Sequence, residues 1–139
     1  MKKLRLLNPQ LSGIIASLGH GQGLTICDCG LPISKQVETV DLALTRGTPS
    51  FMETLDVVLS EQQVEEVVMA AELAEVSPEF HQALMARIAR LEEEQGNRIN
   101  VVVVSHTEFK ALSDQSVAVV RTGECTPYAN VILRSGVVF

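Results

Sequence analysis

The sequence predicts an α/β fold, with a central mixed β-sheet flanked by helices in a single three-layer domain. Predicted helices and strands alternate along the chain, and four consecutive valines within residues 99–104 are typical of a strand covered on both faces. The chain has 139 residues, the length of one domain, and its hydrophobic content of 46% is ordinary for a globular protein. We therefore treat residues 1–139 as one domain.

The N-terminal part predicts a helix, a turn and a buried strand. Residues 8–18 begin with Asn-Pro, which is typical of an N-cap followed by proline at the first helical position, and they carry apolar side chains at helical spacing. Gly19 is placed to stop this helix, so His20 is expected in the turn that follows. Residues 24–27 then predict a buried strand with Asp28 at its carboxyl end.

The middle of the chain is less uniform. Residues 37–44 are ambiguous, whereas the Pro-Ser pair at the start of residues 49–58 predicts a short helix. Residues 61–76 fit either helix or strand, because Glu, Gln and Ala favour a helix while the valines suit a buried strand. A Ser-Pro pair and an apolar stripe predict a further helix over residues 77–96.

The C-terminal part predicts three strands and one helix. Residues 99–104 form the first strand, and the Ser-x-x-Glu pattern that follows predicts a capping box with His106 in the first helical turn. Residues 117–120 and 131–133 are two more predicted strands. The segment between them, residues 121–130, is rich in small polar residues.

Charge and hydropathy exclude several classes of partner. The formal net charge is −6, from 17 acidic and 11 basic residues, which argues against a nucleic-acid partner because such affinity comes from clustered Lys and Arg. Basic residues precede Leu6 and Leu7, but Asn8 and Pro9 end this apolar stretch too early for a signal peptide. No apolar run reaches 18 residues, so we expect a soluble, cytoplasmic protein without a membrane partner.

The cysteine pattern and the missing motifs limit the chemistry further. Cys27, Cys29 and Cys125 cannot all pair within one chain, and we interpret them as free thiols in a reducing compartment. Cys-x-Cys without a second ligand pair is a poor zinc signature, so no metal is predicted and a buried strand-end thiol is the better interpretation. Nucleotide-binding glycine motifs and the Gly-x-Ser-x-Gly hydrolase motif are also absent.

Three groups of polar residues are predicted near the ends of strands, where ligands of open α/β sheets bind. The first is His20 with Asp28, which could form a proton-transfer pair in which the carboxylate fixes the imidazole tautomer. A histidine after a helix-ending glycine is also often just a capping or solvent-exposed residue. His106 is the second: a helix start keeps its ring neutral and able to accept a hydrogen bond, although a surface histidine is an equal alternative.

Tyr128 and Asn130 are the third group, in the polar segment before the last predicted strand. Tyr128 is the only tyrosine of the chain. A phenol and an amide are groups that recognise neutral hydroxylated ligands. The alternative is a long turn whose asparagine bonds its own backbone.

Four segments of the chain form a distinctive set of motifs. They are Leu18-Gly-His20, Cys27-Asp-Cys-Gly-Leu-Pro-Ile33, residues 41–52 with Gly47-Thr-Pro-Ser-Phe51, and Gly123-Glu-Cys-Thr-Pro-Tyr-Ala-Asn130. Together they resemble the D-ribose pyranase family, which is related to the fucose mutarotases, and the resemblance extends over the whole chain. Cys29 and Ser34 stand where Ala and Pro are familiar. These departures concern the conformation of the loop after Asp28 and remove no functional group.

The resemblance implies interconversion of the pyranose and furanose forms of D-ribose, with no cofactor and no covalent enzyme intermediate. It implies that His20 is the catalytic acid/base and that Asp28, His106, Tyr128 and Asn130 bind the sugar. It also implies a ring-shaped homodecamer with sites near subunit boundaries. Two alternatives are a mutarotase acting on another free sugar such as fucose, and a non-catalytic sugar-binding accessory of ribose uptake.

Overall fold

A computed structural model describes residues 1–139. The helices are α1 (Pro9–Ser17), α2 (Phe51–Leu59), α3 (Glu72–Val76), α4 (Pro78–Gln95) and α5 (His106–Ser113). The strands are β1 (Gly23–Cys27), β2 (Glu38–Asp41), β3 (Val64–Ala70), β4 (Asn100–Val104), β5 (Ala118–Arg121) and β6 (Val131–Ser135). None of the helices combines the length and the apolar character needed to cross a membrane.

The six strands form one mixed sheet in the order β2-β5-β1-β6-β3-β4. Strand β6 runs antiparallel to its neighbours β1 and β3, whereas the β1–β5, β2–β5 and β3–β4 pairs are parallel. The carboxyl ends of the other five strands therefore meet the beginning of β6 at one edge, which we call the carboxyl edge. The opposite edge, which we call the amino edge, holds the end of β6.

Helices cover both faces of the sheet, as the sequence predicted. Four helices pack one face through a core of 22 buried residues, including Leu11 of α1, Phe51 of α2, Leu73 of α3 and Leu84 of α4. The other face is covered by α5, whose Phe109 is fully buried, together with the loop after β1. The three-layer arrangement is thus confirmed, with an unequal division of the helices.

Two predicted helix starts carry N-cap hydrogen bonds, but the capping box predicted at Ser105 is only half formed, because the Glu108 side chain makes no return bond. The Asn8 side chain accepts the Leu11 N–H at 2.8 Å, and Ser105 accepts the Glu108 N–H at 3.2 Å. A complete capping box occurs at Ser50, in α2, where the sequence analysis predicted only a helix. Helix α4 ends on Gly96 in the left-handed conformation with φ 73°, as its predicted stop requires.

Two expectations about strands are resolved by their neighbours in the sheet. Residues 61–76, which fit either state, form strand β3 and then the short helix α3. The prediction that residues 99–104 are covered on both faces is wrong, because β4 lies at the edge of the sheet and Val103 keeps 57% of its surface exposed. A run of valines is compatible with an edge strand as well as with a central one, because β-branched residues suit any pleated strand.

Candidate active site

The five predicted site residues lie at two opposite edges of the sheet. Asp28, His106, Tyr128 and Asn130 meet at the carboxyl edge, next to the ends of β1 and β4 and the start of β6. His20 lies at the amino edge, before β1 begins. Strand β1 lies between His20 and Asp28, and its five residues span about 16 Å at roughly 3.3 Å per residue. The predicted pairing of His20 with Asp28 within one chain is therefore wrong, because the buried strand between them is extended.

Asp28 and Asn130 interlock at the carboxyl edge. The Asp28 N–H donates to Asn130 Oδ1 at 2.8 Å, and Asn130 Nδ2 donates to Asp28 Oδ2 at 3.0 Å. The other carboxylate oxygen accepts the Gly30 N–H at 2.9 Å. Asn130 is buried, with 1% of its surface exposed. The orientation of the Asp28 carboxylate is therefore fixed before any ligand arrives.

Tyr128 adopts a backbone conformation that aromatic residues rarely take. Its φ is 63°, in the left-handed region, and it is the only residue other than glycine with a positive φ. Its carbonyl accepts the Asn130 N–H at 2.8 Å, which holds the turn. Strain of this kind is concentrated at functional sites, and here it directs the tyrosine ring against His106. The two ring centroids are 4.9 Å apart in an edge-to-face arrangement.

His106 is held by the start of helix α5. Its N–H donates to both carboxylate oxygens of Glu72, at 3.0 and 3.2 Å. Backbone hydrogen bonds, from Glu72 itself and from His106, lower the pKa of the Glu72 carboxyl below its ordinary value. The Nδ1 atom of His106 is buried and has no hydrogen-bond partner. A buried nitrogen without a partner is unusual, because buried polar atoms are nearly always paired.

A cleft of about 260 Å³ opens at the carboxyl edge. It is lined by Asp28, Gly30, Leu31, Pro32, His106, Pro127 and Tyr128. One carboxylate, one phenol and one imidazole thus project among apolar groups, and no Lys or Arg lines the cleft. That mixture suits a small neutral ligand carrying several hydroxyl groups better than a phosphorylated one.

At the amino edge, the partner of His20 is Glu65. The His20 Nε2 atom lies 2.9 Å from the Glu65 carboxylate, and the two side chains are 62% and 41% exposed. Glu65 lies at an irregularity of β3, where the register against β6 shifts between Val64 and Glu66. Bulges of this type redirect a side chain and are frequent next to active sites. The sequence analysis missed Glu65, since the bulge depends on strand pairing and leaves no local pattern.

The turn that carries His20 is tied to the end of β6. The Gly21 N–H donates to the Ser135 carbonyl at 2.8 Å, and Gly21 has a φ of 76° that favours glycine. The Gly19 N–H donates to the Gln22 side chain at 2.7 Å. His20 lines an open cleft of about 480 Å³, one wall of which is formed by the C-terminal residues 135–139.

Glu124 organises the polar loop before β6, and the sequence analysis gave it no role. Its carboxylate accepts the Phe51 N–H at the start of α2, at 3.2 Å, and also bonds with Cys125 and Thr126. Partial burial opposes ionisation, but the hydrogen bonds from Thr126, Phe51 and Cys125 outweigh it and lower the pKa of Glu124. The loop that holds Tyr128 and Asn130 is thus attached to the helical layer.

All three cysteines are free, as predicted. Cys27 is the buried strand-end thiol, and burial raises its pKa to about 12. Cys29 and Cys125 are accessible and lie beside each other, with their sulfur atoms 3.7 Å apart. No group of three or more His, Cys, Asp or Glu side chains is arranged to hold a metal ion.

Comparison with known families decides the relationship. Residues 1–138 match the RbsD / FucU transport protein family. The chain belongs to this family. A Haemophilus influenzae protein described as D-ribose pyranase is 58% identical, and one from Actinobacillus pleuropneumoniae serotype 5b is 57% identical, each over 139 residues and 100% of both chains.

Solved structures give the same relationship. Bacillus subtilis RbsD, in a complex with D-ribose, is 42% identical and superimposes with a TM-score of 0.89 over 100% of both chains. A fucose mutarotase from Streptococcus pneumoniae, in a complex with L-fucose, is 19% identical with a TM-score of 0.76, again over 100% of both chains. The second likeness is one of fold alone.

Proposed function

We propose that this protein is an isomerase that interconverts the pyranose and furanose forms of D-ribose. The observation that carries the proposal is the identity of 57–58% to proteins described as D-ribose pyranase, over the full length of each chain. The cleft at the carboxyl edge supports it, because its polar groups suit a free sugar and it is not lined by cations. The fucose mutarotase offers only a common fold.

In the proposed reaction, only protons are transferred. A base removes the proton of the anomeric hydroxyl while an acid protonates the ring oxygen, and the open sugar closes again through a different hydroxyl. His20 is the proposed acid/base, because imidazole exchanges protons near neutral pH. A positioned group of this kind contributes about 10²- to 10⁴-fold. No cofactor and no covalent intermediate enter the proposal.

We assign the orienting carboxylate of His20 to Glu65. A carboxylate 2.9 Å from Nε2 holds the proton on that nitrogen and leaves Nδ1 as the atom that exchanges a proton with the sugar. The same carboxylate stabilises the imidazolium that forms when the ring accepts a proton. Glu65 thereby takes the role that the sequence analysis expected of Asp28.

The four residues at the carboxyl edge are the proposed sugar-binding groups. The fixed Asp28 carboxylate accepts hydrogen bonds from sugar hydroxyls, and the Tyr128 hydroxyl can both donate and accept. The unpaired His106 Nδ1 accepts one more hydroxyl hydrogen. Asn130 acts mainly through Asp28, since both ends of its amide are engaged there. This preformed arrangement reduces the entropy lost when the sugar binds.

We further propose that the complete site forms between two copies of the chain. Within one chain, β1 keeps His20 away from the sugar-binding groups, so a single copy holds two incomplete halves. A contact between the amino edge of one copy and the carboxyl edge of the next joins these halves. Head-to-tail contacts give a ring when the rotation between copies closes, and a ring agrees with the decamer that the family resemblance implies.

The proposed setting is the cytoplasm, with free ribose as the partner. The net charge of −6 disfavours nucleic acid, as does the scarcity of Lys and Arg around either cleft. A free monosaccharide is the substrate class that the polar groups can hold without a cation. We place the protein in ribose catabolism on this basis.

Exchange-detected NMR on D-ribose tests the proposal directly. We expect the protein to accelerate magnetisation exchange between pyranose and furanose signals, with a parallel measurement on L-fucose as the comparison. Fast exchange on fucose with none on ribose would show that the protein is a mutarotase acting on another sugar. Ribose binding with exchange at the buffer rate would instead identify a non-catalytic sugar-binding accessory.

A further inference from the structure

The two accessible cysteines lie on the two loops that frame the sugar-binding cleft. Cys29 follows Asp28 in the loop after β1, and Cys125 lies in the loop that carries Tyr128. Their sulfur atoms are 3.7 Å apart, although 96 residues separate them in the chain. The proposed isomerisation uses neither thiol.

The backbones around these cysteines are already paired. The Cys29 N–H donates to the Glu124 carbonyl at 2.8 Å, and Arg121 Nε donates to the Cys29 carbonyl at 3.1 Å. The first of these bonds joins the Cys29 backbone to the residue next to Cys125, and it holds the two loops side by side where the sulfur atoms lie 3.7 Å apart. The sulfur atoms need to approach by about 1.7 Å to form a bond of about 2.05 Å.

We propose that Cys29 and Cys125 form a modification site, at which a hydroperoxide converts the two thiols reversibly into a disulfide. The bond draws the Asp28 loop towards the Tyr128 loop and slows the proposed sugar-ring exchange. The second effect rests on the proposed function, whereas the disulfide itself does not. The geometry singles out this pair, because Cys27 is buried on β1.

The reaction balances with one hydroperoxide. The Cys125 thiolate attacks a peroxide oxygen, the O–O bond breaks and an alcohol or water leaves, which gives a sulfenic acid. The Cys29 sulfur then attacks the Cys125 sulfur, the S–OH bond breaks and water leaves with the Cys29 proton. Cys125 is the more exposed of the two thiols, so it meets the peroxide first. Two thiols lose two electrons and one peroxide is reduced.

The test exposes reduced full-length protein to hydrogen peroxide, blocks the remaining thiols with N-ethylmaleimide after unfolding, and maps the peptides by mass spectrometry. We expect a Cys29–Cys125 cross-link that dithiothreitol removes, while Cys27 carries the maleimide. The Cys29→Ala variant should show no cross-link. Sulfinic acid on Cys125 beside a free Cys29, or a Cys125–Cys125 link between copies, would overturn the proposal.

Ring exchange measured on the same samples tests the consequence for the site. Oxidised wild-type protein should exchange ribose about tenfold more slowly than reduced protein, since displacements of about 1 Å have effects of this size or larger. Cys29→Ala should keep its rate in peroxide. An unchanged rate in fully cross-linked protein would show that the disulfide does not control the activity. If the reduced protein never exchanges ribose, the proposed function is refuted. The peptide map would still show whether the disulfide forms.

Discussion

The two edges of the sheet are built in opposite ways. At the carboxyl edge, Asn130 is buried and three hydrogen bonds join it and Gly30 to Asp28. At the amino edge, His20 is 62% exposed and its side chain has one partner, Glu65. The carboxyl edge thus holds its polar groups in fixed positions, whereas at the amino edge His20 lines an open cleft of about 480 Å³ and is held by a single partner.

This difference separates binding from proton transfer. A binding surface gains affinity when its groups are fixed before the ligand arrives. An exposed imidazole on a short turn becomes an effective acid/base only when another surface covers it and excludes water. If the chain carries two half-sites, as proposed, substitutions at each edge should produce different defects.

Replacing His20 should affect the rate far more than the affinity. We expect His20→Ala to lower the rate of ribose ring exchange by about 10²- to 10⁴-fold, because the acid/base is lost. Ribose affinity, measured by calorimetry, should change little, since the groups at the carboxyl edge remain. A comparable loss of affinity and rate would contradict the assignment of binding to one edge and proton transfer to the other.

Replacing Asn130 should abolish affinity as well as rate. In Asn130→Ala, the Asp28 N–H loses its buried acceptor, which costs about 1–3 kcal/mol of the free energy of unfolding. The Asp28 carboxylate also loses its orientation, so calorimetry should detect no ribose binding. Asn100→Ala is the matched control, because Asn100 is exposed and its amide bonds only Glu66.

Mixing the two variants tests whether each site is formed by one chain or by two. If sites form between copies, hetero-oligomers of equal amounts of His20→Ala and Asn130→Ala chains should have about a quarter of their sites intact. An intact site takes His20 from one variant and Asn130 from the other. Ring exchange should return to about that fraction of the wild-type rate after the variants are unfolded together and reassembled. No recovery in verified hetero-oligomers would show that each site lies within one chain.

Replacing Glu65 should have a smaller, purely kinetic effect. We expect Glu65→Gln to lower kcat about tenfold with little change in KM, the effect of one charge-assisted hydrogen bond of roughly 1.5 kcal/mol. Glu65→Asp should restore part of the rate. Glu61→Gln is the control, since Glu61 lines the same cleft but pairs with Lys2. Equal kcat values for both Gln variants would remove Glu65 from the mechanism.

Replacing Glu124 should affect stability in a pH-dependent way. Its pKa is lowered in the folded chain, so its contribution is present above the ordinary value of 4.5 and is lost as the pH falls through the folded value. Glu124→Gln should lower the free energy of unfolding by about 1 kcal/mol at pH 7 and by less in acid. Urea titrations at several pH values measure this difference, and a pH-independent deficit would contradict it.

Much of the fold could be predicted from local sequence. The Asn8, Ser50, Ser105 and Gly96 signals act within one helical turn, so the helix boundaries they indicate agree with the structure. Residues 61–76 could not be assigned, because β3 is a strand through its pairing with β4 and β6 and not through its composition. The edge position of β4 likewise depends on the order of strands, which no single segment encodes.

The candidate site shows the same limit. Asp28, Tyr128 and Asn130 lie next to strand ends, where the predicted strands indicated polar groups, and the structure brings them together. The proposed partner of His20 was misassigned because closeness in sequence is not closeness in space across an extended strand. Glu65 is 45 residues from His20 and reaches it through a bulge, so only the assembled sheet reveals the pair.

Strand β6 has a consequence for how sites communicate. Asn130 directly precedes it, and Ser135 at its far end accepts the N–H of Gly21, next to His20. One central strand, paired on both sides, therefore connects the proposed sugar-binding half-site to the proposed proton-transfer half-site. In a ring in which neighbouring chains complete each other's half-sites, β6 is a rigid link between successive sites. The distance between successive sites is then fixed by the length of β6 within each chain. A substitution that bends β6 would disturb two sites at once.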